Sequence, residues 1–379
     1  MTNVKRVLIV GGGIGGLATA VALRRAGIGA EIVEIQKEWT VYGVGIIQPS
    51  NALRALASIG LGDACVASGC GYPGWRMHDA QCNLLAEIPN RNVAKDGYPA
   101  INGIARSQLH AILTGGAREA DVPVRLGVTV ETVENRADRV DVTFTDGSQG
   151  SYDLLVAADG CHSRMRAMIM EKSRPVSIGQ AVSRYNFARP AGMTSGGIYY
   201  GKKTKVGIVP MSPSTMYMFL VTKLDEGSAR PPEDSLADMF RGHLEEYGGL
   251  IADLRSQVTD PREVVYRPIE HVLLPTPWYR GRVVIIGDAA HTTSPHLAQG
   301  ASMAIEDGVL LAELLGGGGA VDVALAEWMR RRFPRVELAV ETSLELARLE
   351  LCEWEGSPDR SANAAALFHH ATEAMMAPI

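Results

Sequence analysis

One turn near the start of the chain has the residue types that hold a pyrophosphate. The segment VLIVGGGIGGLATA contains the pattern GxGxxG at Gly11, Gly13 and Gly16, after an apolar run and before a helical pattern. Glycines at these positions allow a tight turn, a close approach of phosphate to the backbone, and close packing of helix on strand. Glu34 follows 18 residues after Gly16 and could accept hydrogen bonds from an adenosine ribose. The pattern predicts a dinucleotide site.

A second segment, GDAAHTTSPHLAQG (287–300), holds an acid, a proline and two histidines after the apolar run RVVIIG. Asp288, at the end of that run, could hold a sugar or ribityl hydroxyl through a charge-assisted hydrogen bond. The loop then delivers Gly300 and Ala301 to the start of a helix, whose N–H groups and dipole favour an anion. Reduced flavin is such an anion at N1 and O2. The glycine turn is compatible with NAD or FAD, and this segment favours FAD.

The elements that must position these residues follow from the apolar periodicity. Val7–Val10, Leu17–Ala26 and Ala30–Ile35 form a βαβ pattern, and the buried runs Tyr152–Ala158 and Arg282–Ile286 have the same parallel style. Long helical patterns span Ala301–Leu315 and Val323–Leu351, and Pro334 is expected to kink the second. Residues 175–275 are rich in β-patterns, with a helical insert at 235–246. The first and last thirds are therefore expected to fold together around an inserted antiparallel sheet.

Composition excludes several classes of protein. The 379 residues carry a net charge of -5, which supplies no basic field for nucleic acid. No window approaches the roughly 20 apolar residues of a membrane span, and Met1 leads directly into a strand without a signal peptide, so we expect a cytoplasmic protein. Five cysteines without a CxxC pair argue against disulfides and against a metal site.

Three separated segments resemble the FAD-dependent aromatic hydroxylases, the single-component flavoprotein monooxygenases. The first is the glycine turn with Glu34. The second, LLVAADGCHSRMR, resembles the DG motif of that family through Asp159, Gly160, Ser163 and Arg166. The third, GRVVIIGDAAHTTSPHLAQGASMAIEDG, is similar to the GD motif of the family through Gly287, Asp288, His291, Pro295, Gln299, Gly300, Glu306 and Asp307. GVGIIQPSNALRAL (43–56) and ARSQLHAIL (105–113) also resemble family segments.

The third segment looks closest to the 6-hydroxynicotinate 3-monooxygenase branch, which acts on hydroxylated pyridines. This chain departs from the common pattern, because Ala298 stands where P-x-x-G-Q-G has glycine and Gly308 follows Glu306-Asp307. Ile47 also replaces the active-site histidine of that branch. The substrate-activating base must therefore lie elsewhere, or the substrate differs.

The resemblance implies an α/β fold in which a Rossmann-like FAD-binding domain of the glutathione-reductase type carries an inserted, mainly antiparallel β-sheet substrate domain. The FAD domain is assigned to residues 1–70, 100–174 and 276–379, and the substrate domain to residues 71–99 and 175–275. FAD pyrophosphate is expected at the glycine turn, the ribityl chain at Asp288, and the diphosphate or ribityl region at Arg106. The DG residues imply contact with both FAD and the nicotinamide donor. The full set of expected cofactor contacts is Gly11, Gly13, Ile14, Gly15, Gly16, Glu34, Ile35, Gly45, Ile47, Arg106, Val128, Asp159, Gly160, Asp288, Pro295, Gln299, Gly300 and Ala301.

The resemblance also implies a reaction. NADH or NADPH reduces FAD, O2 adds to the flavin C4a, and the hydroperoxide transfers one oxygen atom to a small phenolic or hydroxylated N-heteroaromatic substrate. Because a phenolate or pyridinolate is attacked faster than the neutral ring, a residue that takes the hydroxyl proton would be useful. Pro295 is expected near C4a. The candidates for the base are His296, whose ordinary pKa near 6.5 suits proton transfer, and Tyr217, in the alternating strand TMYMFLV.

Several alternatives stay open. A flavin-dependent epoxidase, a decarboxylating hydroxylase and a non-catalytic FAD-binding protein would share these motifs. An ordinary NAD-dependent dehydrogenase would need only the first βαβ unit and would leave Asp159-Gly160 and residues 288–300 unexplained. No second dinucleotide fold is present for the nicotinamide donor, which favours its transient binding in a groove. We expect a monomer or a homodimer.

Overall fold

A computed structural model describes residues 4–39, 43–170, 173–225, 227–359 and 363–379. The strands are β1 (Arg6–Val10), β2 (Gly29–Glu34), β3 (Gly45–Pro49), β4 (Cys70–Tyr72), β5 (Gly74–Asp79), β6 (Leu84–Pro89), β7 (Ile101–Ala105), β8 (Val124–Leu126), β9 (Val130–Asn135), β10 (Val140–Phe144), β11 (Gln149–Tyr152), β12 (Leu154–Ala157), β13 (Val176–Ala188), β14 (Gly196–Tyr200), β15 (Thr204–Pro210), β16 (Thr215–Lys223), β17 (Val265–His271), β18 (Tyr279–Arg280) and β19 (Val283–Ile285). The α-helices are α1 (Ile14–Arg25), α2 (Ser50–Ser58), α3 (Gly62–Ser68), α4 (Arg106–Glu119), α5 (Arg164–Ile169), α6 (Leu236–His243), α7 (Gly249–Arg255), α8 (Asp288–His291), α9 (Gly300–Gly316), α10 (Val321–Trp354) and α11 (Ala364–Met376). Short 3-10 turns lie at Glu233–Ser235, Pro261–Glu263 and Pro295–Leu297.

A parallel sheet forms the base of the molecule. Its strand order is β18-β19-β12-β1-β2-β8, and only the β18–β19 pair is antiparallel. Strands β12 and β19 are completely buried, and β1 is buried beyond its first residue, as expected of apolar runs covered on both faces. The sheet therefore joins strands from the first, middle and last parts of the chain, and the Rossmann-like fold is confirmed.

The second large sheet has the order β17-β13-β16-β15-β14-β5-β6. Its pairs are antiparallel except β14–β5, which is parallel. The mainly antiparallel sheet expected from the sequence is thus present. One face packs on α6 and α7. The opposite face, which we call the inner face, lies toward the FAD domain and contributes Tyr217 and Trp75 to a separate apolar cluster with Val44 and Ile101.

Two three-stranded sheets complete the fold, with the orders β11-β10-β9 and β3-β7-β4. In the second of these, β3 belongs to the family-like segment 43–56, and β7 ends at Ala105, where the family-like segment 105–113 begins. Strand β4 pairs with β7, so residues 70–72 join this small sheet, whereas residues 74–89 join the seven-stranded one.

Some boundaries differ from the sequence expectations. Helix α10 spans Val321–Trp354 with Pro334 inside it, and the kink expected at Pro334 stays a prediction. Asp288 begins the one-turn helix α8 instead of ending a strand. Helices α7 and α11 had no counterpart in the sequence analysis. Among the described helices, none combines the length and hydropathy that crossing a membrane would require.

Candidate active site

The carboxyl ends of four adjacent parallel strands carry the predicted cofactor residues. Strand β1 leads into the glycine turn (11–16), β2 ends at Glu34, β12 leads to Asp159-Gly160, and β19 leads to Gly287-Asp288. Carboxyl ends of parallel strands lie at one edge of a sheet, which is where such folds bind nucleotides. The structure therefore brings together the motifs that the sequence spreads over nearly 280 positions.

Helix α9 connects the glycine turn with the GD turn. A Cβ added to Gly15 would lie 3.3 Å from the Cβ of Ala304, and one added to Gly287 would lie 3.1 Å from the same atom. Both turns thus touch the first part of α9, and glycine makes this approach possible. The glycine turn and the GD turn therefore lie close together, and among the described residues no side chain caps the free N–H groups of α1 or α9.

The glycine turn fits a pyrophosphate. Gly11 has a φ of +112°, which side chains rarely adopt. A Cβ on Gly16 would overlap the carbonyl oxygen of Gly11, so Gly16 is required by the fold. A Cβ on Gly13, in contrast, would meet no atom of the described residues within 4 Å. The space in front of Gly13 is therefore open for a ligand beside the N–H groups that follow Ile14.

Glu34 supports the turn from the next strand. Its carboxylate accepts hydrogen bonds from the backbone N–H groups of Gly12 and Gln36, each at 2.8 Å. The neighbouring Ile35 side chain is 54% exposed, and the Val128 N–H donates to the Glu34 carbonyl at 3.0 Å. The expected adenosine contacts of these residues stay a prediction, since the carboxylate already has backbone partners.

Asp288 has no hydrogen-bond partner for its carboxylate among the residues that the structure describes. The side chain is exposed to the cleft, yet protein surrounds it on most sides. This burial raises the pKa of Asp288 above its ordinary value, against the opposing positive charges of His291 and Arg106. A carboxylate in such a place lacks a donor, which a ribityl hydroxyl would supply.

Replacing Asp288 by asparagine is expected to weaken FAD binding by about 1.5–3 kcal/mol, the scale of one hydrogen bond to a charged group. Titration of the FAD-free protein with FAD, followed by flavin fluorescence, measures this change. Glu38, an exposed acid on the FAD domain, gives a matched control when it is changed to glutamine. An Asp288→Asn variant with the affinity of the parent protein would remove Asp288 from the cofactor site.

The DG residues hold their own loop against the GD turn. Asp159 accepts hydrogen bonds from the Ser163 hydroxyl at 2.5 Å and from the Met165 N–H at 3.0 Å. The buried Arg166 guanidinium donates to the Ala289 carbonyl at 2.9 Å. Gly160 has a φ of +82° and open space around it. The contacts with FAD and nicotinamide implied for Asp159 and Gly160 stay predictions.

A thiol, an imidazole and a carboxylate also come together beside the DG motif. The possible ligand atoms of Cys161, His162 and Glu270 lie within 4.8 Å of one another. Burial raises the pKa of the Cys161 thiol, so its metal-binding thiolate form is disfavoured. The His162 side chain is 74% exposed. We assign no metal to this group.

The loop after α8 has an unusual backbone. Ala298 adopts a left-handed conformation with a φ of +54°, at the position where family members commonly have glycine. This conformation costs roughly 1–2 kcal/mol for a residue with a Cβ. Gln299 is buried and accepts a hydrogen bond from the Asn51 amide at 3.0 Å, whereas Pro295 is exposed. Gly300 and Ala301 begin α9, as the sequence indicated.

A buried network of charged and polar side chains around Asp307 holds the GD turn in place. Asp307 accepts hydrogen bonds from the Gly287 N–H at 2.9 Å and from the Arg332 guanidinium at 2.8 Å, and its carboxylate lies 2.6 Å from His291 Nε2. Burial acts to raise the pKa of Asp307, but the charges of His291 and Arg332 outweigh it and lower the pKa to about 2. Arg332 also donates to Glu306 at 2.7 Å. The sequence marked both acids, but nothing in it identified Arg332 as their partner.

His296 lies in a second buried polar group. Its Nδ1 is 2.8 Å from the Ser294 hydroxyl, and its Nε2 is 3.2 Å from the Glu350 carboxylate on α10. Glu350 also contacts Lys205 of β15 at 2.5 Å and accepts a hydrogen bond from Gln180 at 2.9 Å. The His296, Glu350 and Lys205 side chains are only 4%, 12% and 14% exposed.

The charges in this group set its protonation. Burial and the Lys205 charge lower the pKa of His296, against the opposing effect of Glu350. The pKa of Glu350 is lowered to about 2, because Lys205 and His296 outweigh the effect of burial. Glu350 is therefore ionised at neutral pH and accepts the Nε2 proton of a neutral His296, which leaves Nδ1 as the basic nitrogen.

Tyr217 lies on the inner face of the seven-stranded sheet, against the FAD domain. A Cβ on Gly45 would overlap its ring, and Ile47 packs against the same apolar cluster. Burial raises the pKa of Tyr217 to about 12, although the charge of Arg184 opposes the shift. Tyr217 thus contacts the β3 segment that the sequence assigned to the cofactor.

Comparison with known proteins agrees with this geometry. The family model for the FAD binding domain matches residues 5–343. YetM from Bacillus subtilis, named as an FAD-dependent monooxygenase, is 33% identical over 92% of this chain and 94% of its own. An FAD-dependent urate hydroxylase from Klebsiella oxytoca is 30% identical over 87% of this chain and 86% of its own. A 6-hydroxynicotinate 3-monooxygenase from Pseudomonas fluorescens is 29% identical over 86% of each chain.

The fold is shared with solved structures. The crystal structure of a variant of HpxO from Klebsiella pneumoniae in complex with FAD has a TM-score of 0.86 and 25% identity, and the match covers 98% of each chain. The sequence resemblance, the FAD cofactor and the two-sheet fold are therefore confirmed. The chain belongs to the FAD binding domain family and is an FAD-dependent monooxygenase of the aromatic hydroxylase type.

Proposed function

We propose that this monooxygenase uses NADH or NADPH and O2 to hydroxylate a small phenolic or hydroxylated N-heteroaromatic substrate. One observation carries the proposal: Gly45 of β3 meets Tyr217 on the inner face of the second sheet, and Ile47 and Trp75 line one pocket together with residues 297–299. A flat ring bound between them would lie beside the loop 295–300. The urate hydroxylase and 6-hydroxynicotinate 3-monooxygenase relatives, by name, act on N-heteroaromatic compounds, which supports this substrate class.

The residues present fit FAD. The open space before Gly13 and the free N–H groups of α1 suit the pyrophosphate, and the unpartnered Asp288 suits a ribityl hydroxyl. The amino-terminal end of α9 suits the negative charge that reduced flavin carries at N1 and O2. When bound, FAD would accept a hydride from the nicotinamide donor and activate O2 for transfer of one oxygen atom to the ring.

Of the two candidate bases, His296 has the protonation state that suits a base. A phenol with a pKa of about 12 keeps its proton at neutral pH, so Tyr217 is suited to donating a hydrogen bond. His296 is held neutral, and its Nδ1 can accept a proton. The Ser294 hydroxyl, now at Nδ1, also lies 3.1 Å from the Ser343 carbonyl and can donate there once Nδ1 is protonated. Both protonation states of His296 thus have hydrogen-bond partners.

Coupled oxidation tests the proposal. Purified, FAD-loaded protein is mixed with NADH or NADPH and a panel of phenols, hydroxybenzoates and hydroxypyridines, while nicotinamide absorbance and O2 are recorded. We expect at least one compound to stimulate both signals and to yield a hydroxylated product. Bound FAD without stimulated oxidation would favour a non-catalytic binding protein. An epoxide or a decarboxylated product would favour one of the related reactions.

Replacing His296 by glutamine is expected to lower the hydroxylation rate about 100-fold, within the range for a lost general base, with unchanged FAD content. In the parent protein the rate should fall as the pH drops through the His296 pKa, which lies below its usual value, because protonation removes the base. This acid limb should vanish in His296→Gln. Tyr217→Phe serves as the comparison and should keep the limb. A His296→Gln variant with the parent rate and pH profile would place the base elsewhere.

A further inference from the structure

The inner face of the seven-stranded sheet carries side chains in three rows across the strands. In one outer row, Tyr217 pairs with Val209, and these two pack on the small sheet of the FAD domain at Gly45 and Gly103. In the opposite outer row, Val221 pairs with Lys205, which contacts Glu350 of α10. Both outer rows are therefore closed by the FAD domain and its helices.

The middle row lies between these two closed borders. It reads Val265, Arg184, Phe219, Gly207, Ile198 and Met77 across neighbouring strands. A Cβ on Gly207 would overlap the Phe219 ring, so this ring lies over the glycine. Apart from Arg184 the row is uncharged. It forms an apolar floor with a single cation at one end.

Arg184 has no compensating acid. Among the described residues it makes no hydrogen bond and no ion pair, although protein encloses most of the side chain. Burial lowers the pKa of Arg184, and the nearby charges of Arg106 and Arg267 lower it further, against the effect of Tyr217. In the part of the chain that the structure describes, neither Arg106 nor Arg267 has a carboxylate within ion-pair distance. Three positive charges thus surround one cleft.

An enclosed cation without a partner is costly, and proteins seldom keep one unless a ligand supplies the opposite charge. The planar guanidinium is suited to two oxygen atoms of one anionic group. The apolar floor beside it is suited to an aromatic ring, which Phe219 can contact edge to face or offset-stacked. The charge and the shape of the middle row therefore both suit a ligand that joins an anionic oxygen group to an aromatic ring.

We propose that Arg184 binds an anionic oxygen group of the substrate, a carboxylate or an ionised ring hydroxyl, while the substrate ring lies on the middle row against Phe219. This inference rests on the proposed function, because it assigns the cleft to an aromatic substrate, and it narrows the substrate class to anions. Arg184 would set specificity and position the ring. It takes no part in proton transfer.

Binding without turnover tests the inference. FAD-loaded protein is titrated with benzoate and benzamide, and with 4-hydroxybenzoate and 4-hydroxybenzamide, by the change in flavin absorbance. The acids should bind at least about tenfold more tightly than the amides, the scale of one hydrogen bond to a charged group. Titration with 4-nitrophenol above and below its own pKa separates an ionised hydroxyl from a carboxylate as the recognised group.

Three variants test whether Arg184 causes the preference for anions. Arg184→Gln should abolish the preference for anions, and Arg184→Lys should retain part of it, with FAD affinity unchanged in both. Arg76→Gln removes the same charge from the opposite face of the same sheet, where Arg76 is exposed and paired with Glu87, and should change nothing.

Equal binding of acids and amides, absence of binding by every anion tested, or loss of FAD affinity in Arg184→Gln would each overturn the inference. The last result would place Arg184 in the cofactor site. Anion binding that depends on Arg184 in a protein without coupled NAD(P)H oxidation would refute only the proposed function.

Discussion

Replacing Arg332 by methionine is expected to lower the free energy of unfolding by about 3–5 kcal/mol, the cost of removing one partner from a buried ion pair. Arg332 is completely buried, as are its two partners Glu306 and Asp307, with contacts of 2.7 and 2.8 Å. Methionine has a similar length, so the loss is mainly that of charge. Glu306 would then keep Arg335 as its cationic partner, and Asp307 would keep its contact with His291 Nε2.

Urea or thermal unfolding of the FAD-free protein measures this loss without the stabilisation that a bound cofactor adds. Arg330→Met is the matched control, because Arg330 lies two residues away on the same helix and pairs with Glu327 at the surface. The control should unfold as the parent protein does. A loss of stability in Arg332→Met no larger than in the control would show that the network contributes nothing net to folding.

Two glycine substitutions are expected to separate folding from cofactor binding. In Gly16→Ala the new methyl group would overlap the Gly11 carbonyl, and we expect a loss of about 3 kcal/mol in unfolding free energy, the upper part of the range for overpacking. In Gly13→Ala the methyl group meets no atom in the part of the chain that the structure describes, and the backbone at φ -79° accepts alanine. The FAD-free Gly13→Ala protein should therefore be as stable as the parent.

Although Gly13→Ala should leave the stability of the FAD-free protein unchanged, it should weaken FAD binding. Its methyl group would occupy the space in front of the α1 amino terminus, so FAD binding should weaken at least about tenfold, as for a crowded contact of more than 1 kcal/mol. Stability is followed by thermal unfolding and affinity by FAD titration. A Gly13→Ala protein that binds FAD as the parent does would contradict the placement of the pyrophosphate at this turn.

Local sequence patterns predicted the parts of the fold that depend on near neighbours. The strand, glycine turn and helix at residues 6–25 follow from an apolar run, glycine spacing and helical periodicity, all within 20 residues. The inserted sheet was predicted from the alternation of apolar and polar residues in the segment 175–275. These signals also predicted that Asp159 and Asp288 follow buried strands, although Asp288 begins the one-turn helix α8 and does not end β19.

Pairings between distant residues could not be predicted, because they depend on strand register and helix packing. Glu350 contacts His296, which lies 54 positions away in the sequence. The order of polar and apolar residues in α10 does not distinguish Glu350 from the exposed acids of that helix. Nothing in the sequence distinguished Arg184 from the other cations of residues 175–275, and only the strand register places it on the middle row. The sequence marked Glu306 and Asp307 only through family resemblance, and Arg332 became visible through their contacts.

The order of strands in the parallel sheet has a consequence for synthesis on the ribosome. Strand β1, which is synthesised before the other strands of this sheet, lies between β2 and β12. Strand β12 pairs on its other side with β19, and β19 is followed in the sequence by α9, which ends at Gly316. Until residues 283–316 have left the ribosome, the nascent chain has neither Asp288 nor the amino-terminal end of α9. The complete cofactor edge therefore forms only after the glycine turn, the DG motif and the start of α9 have all been synthesised, and tight binding of the flavin needs the last of them.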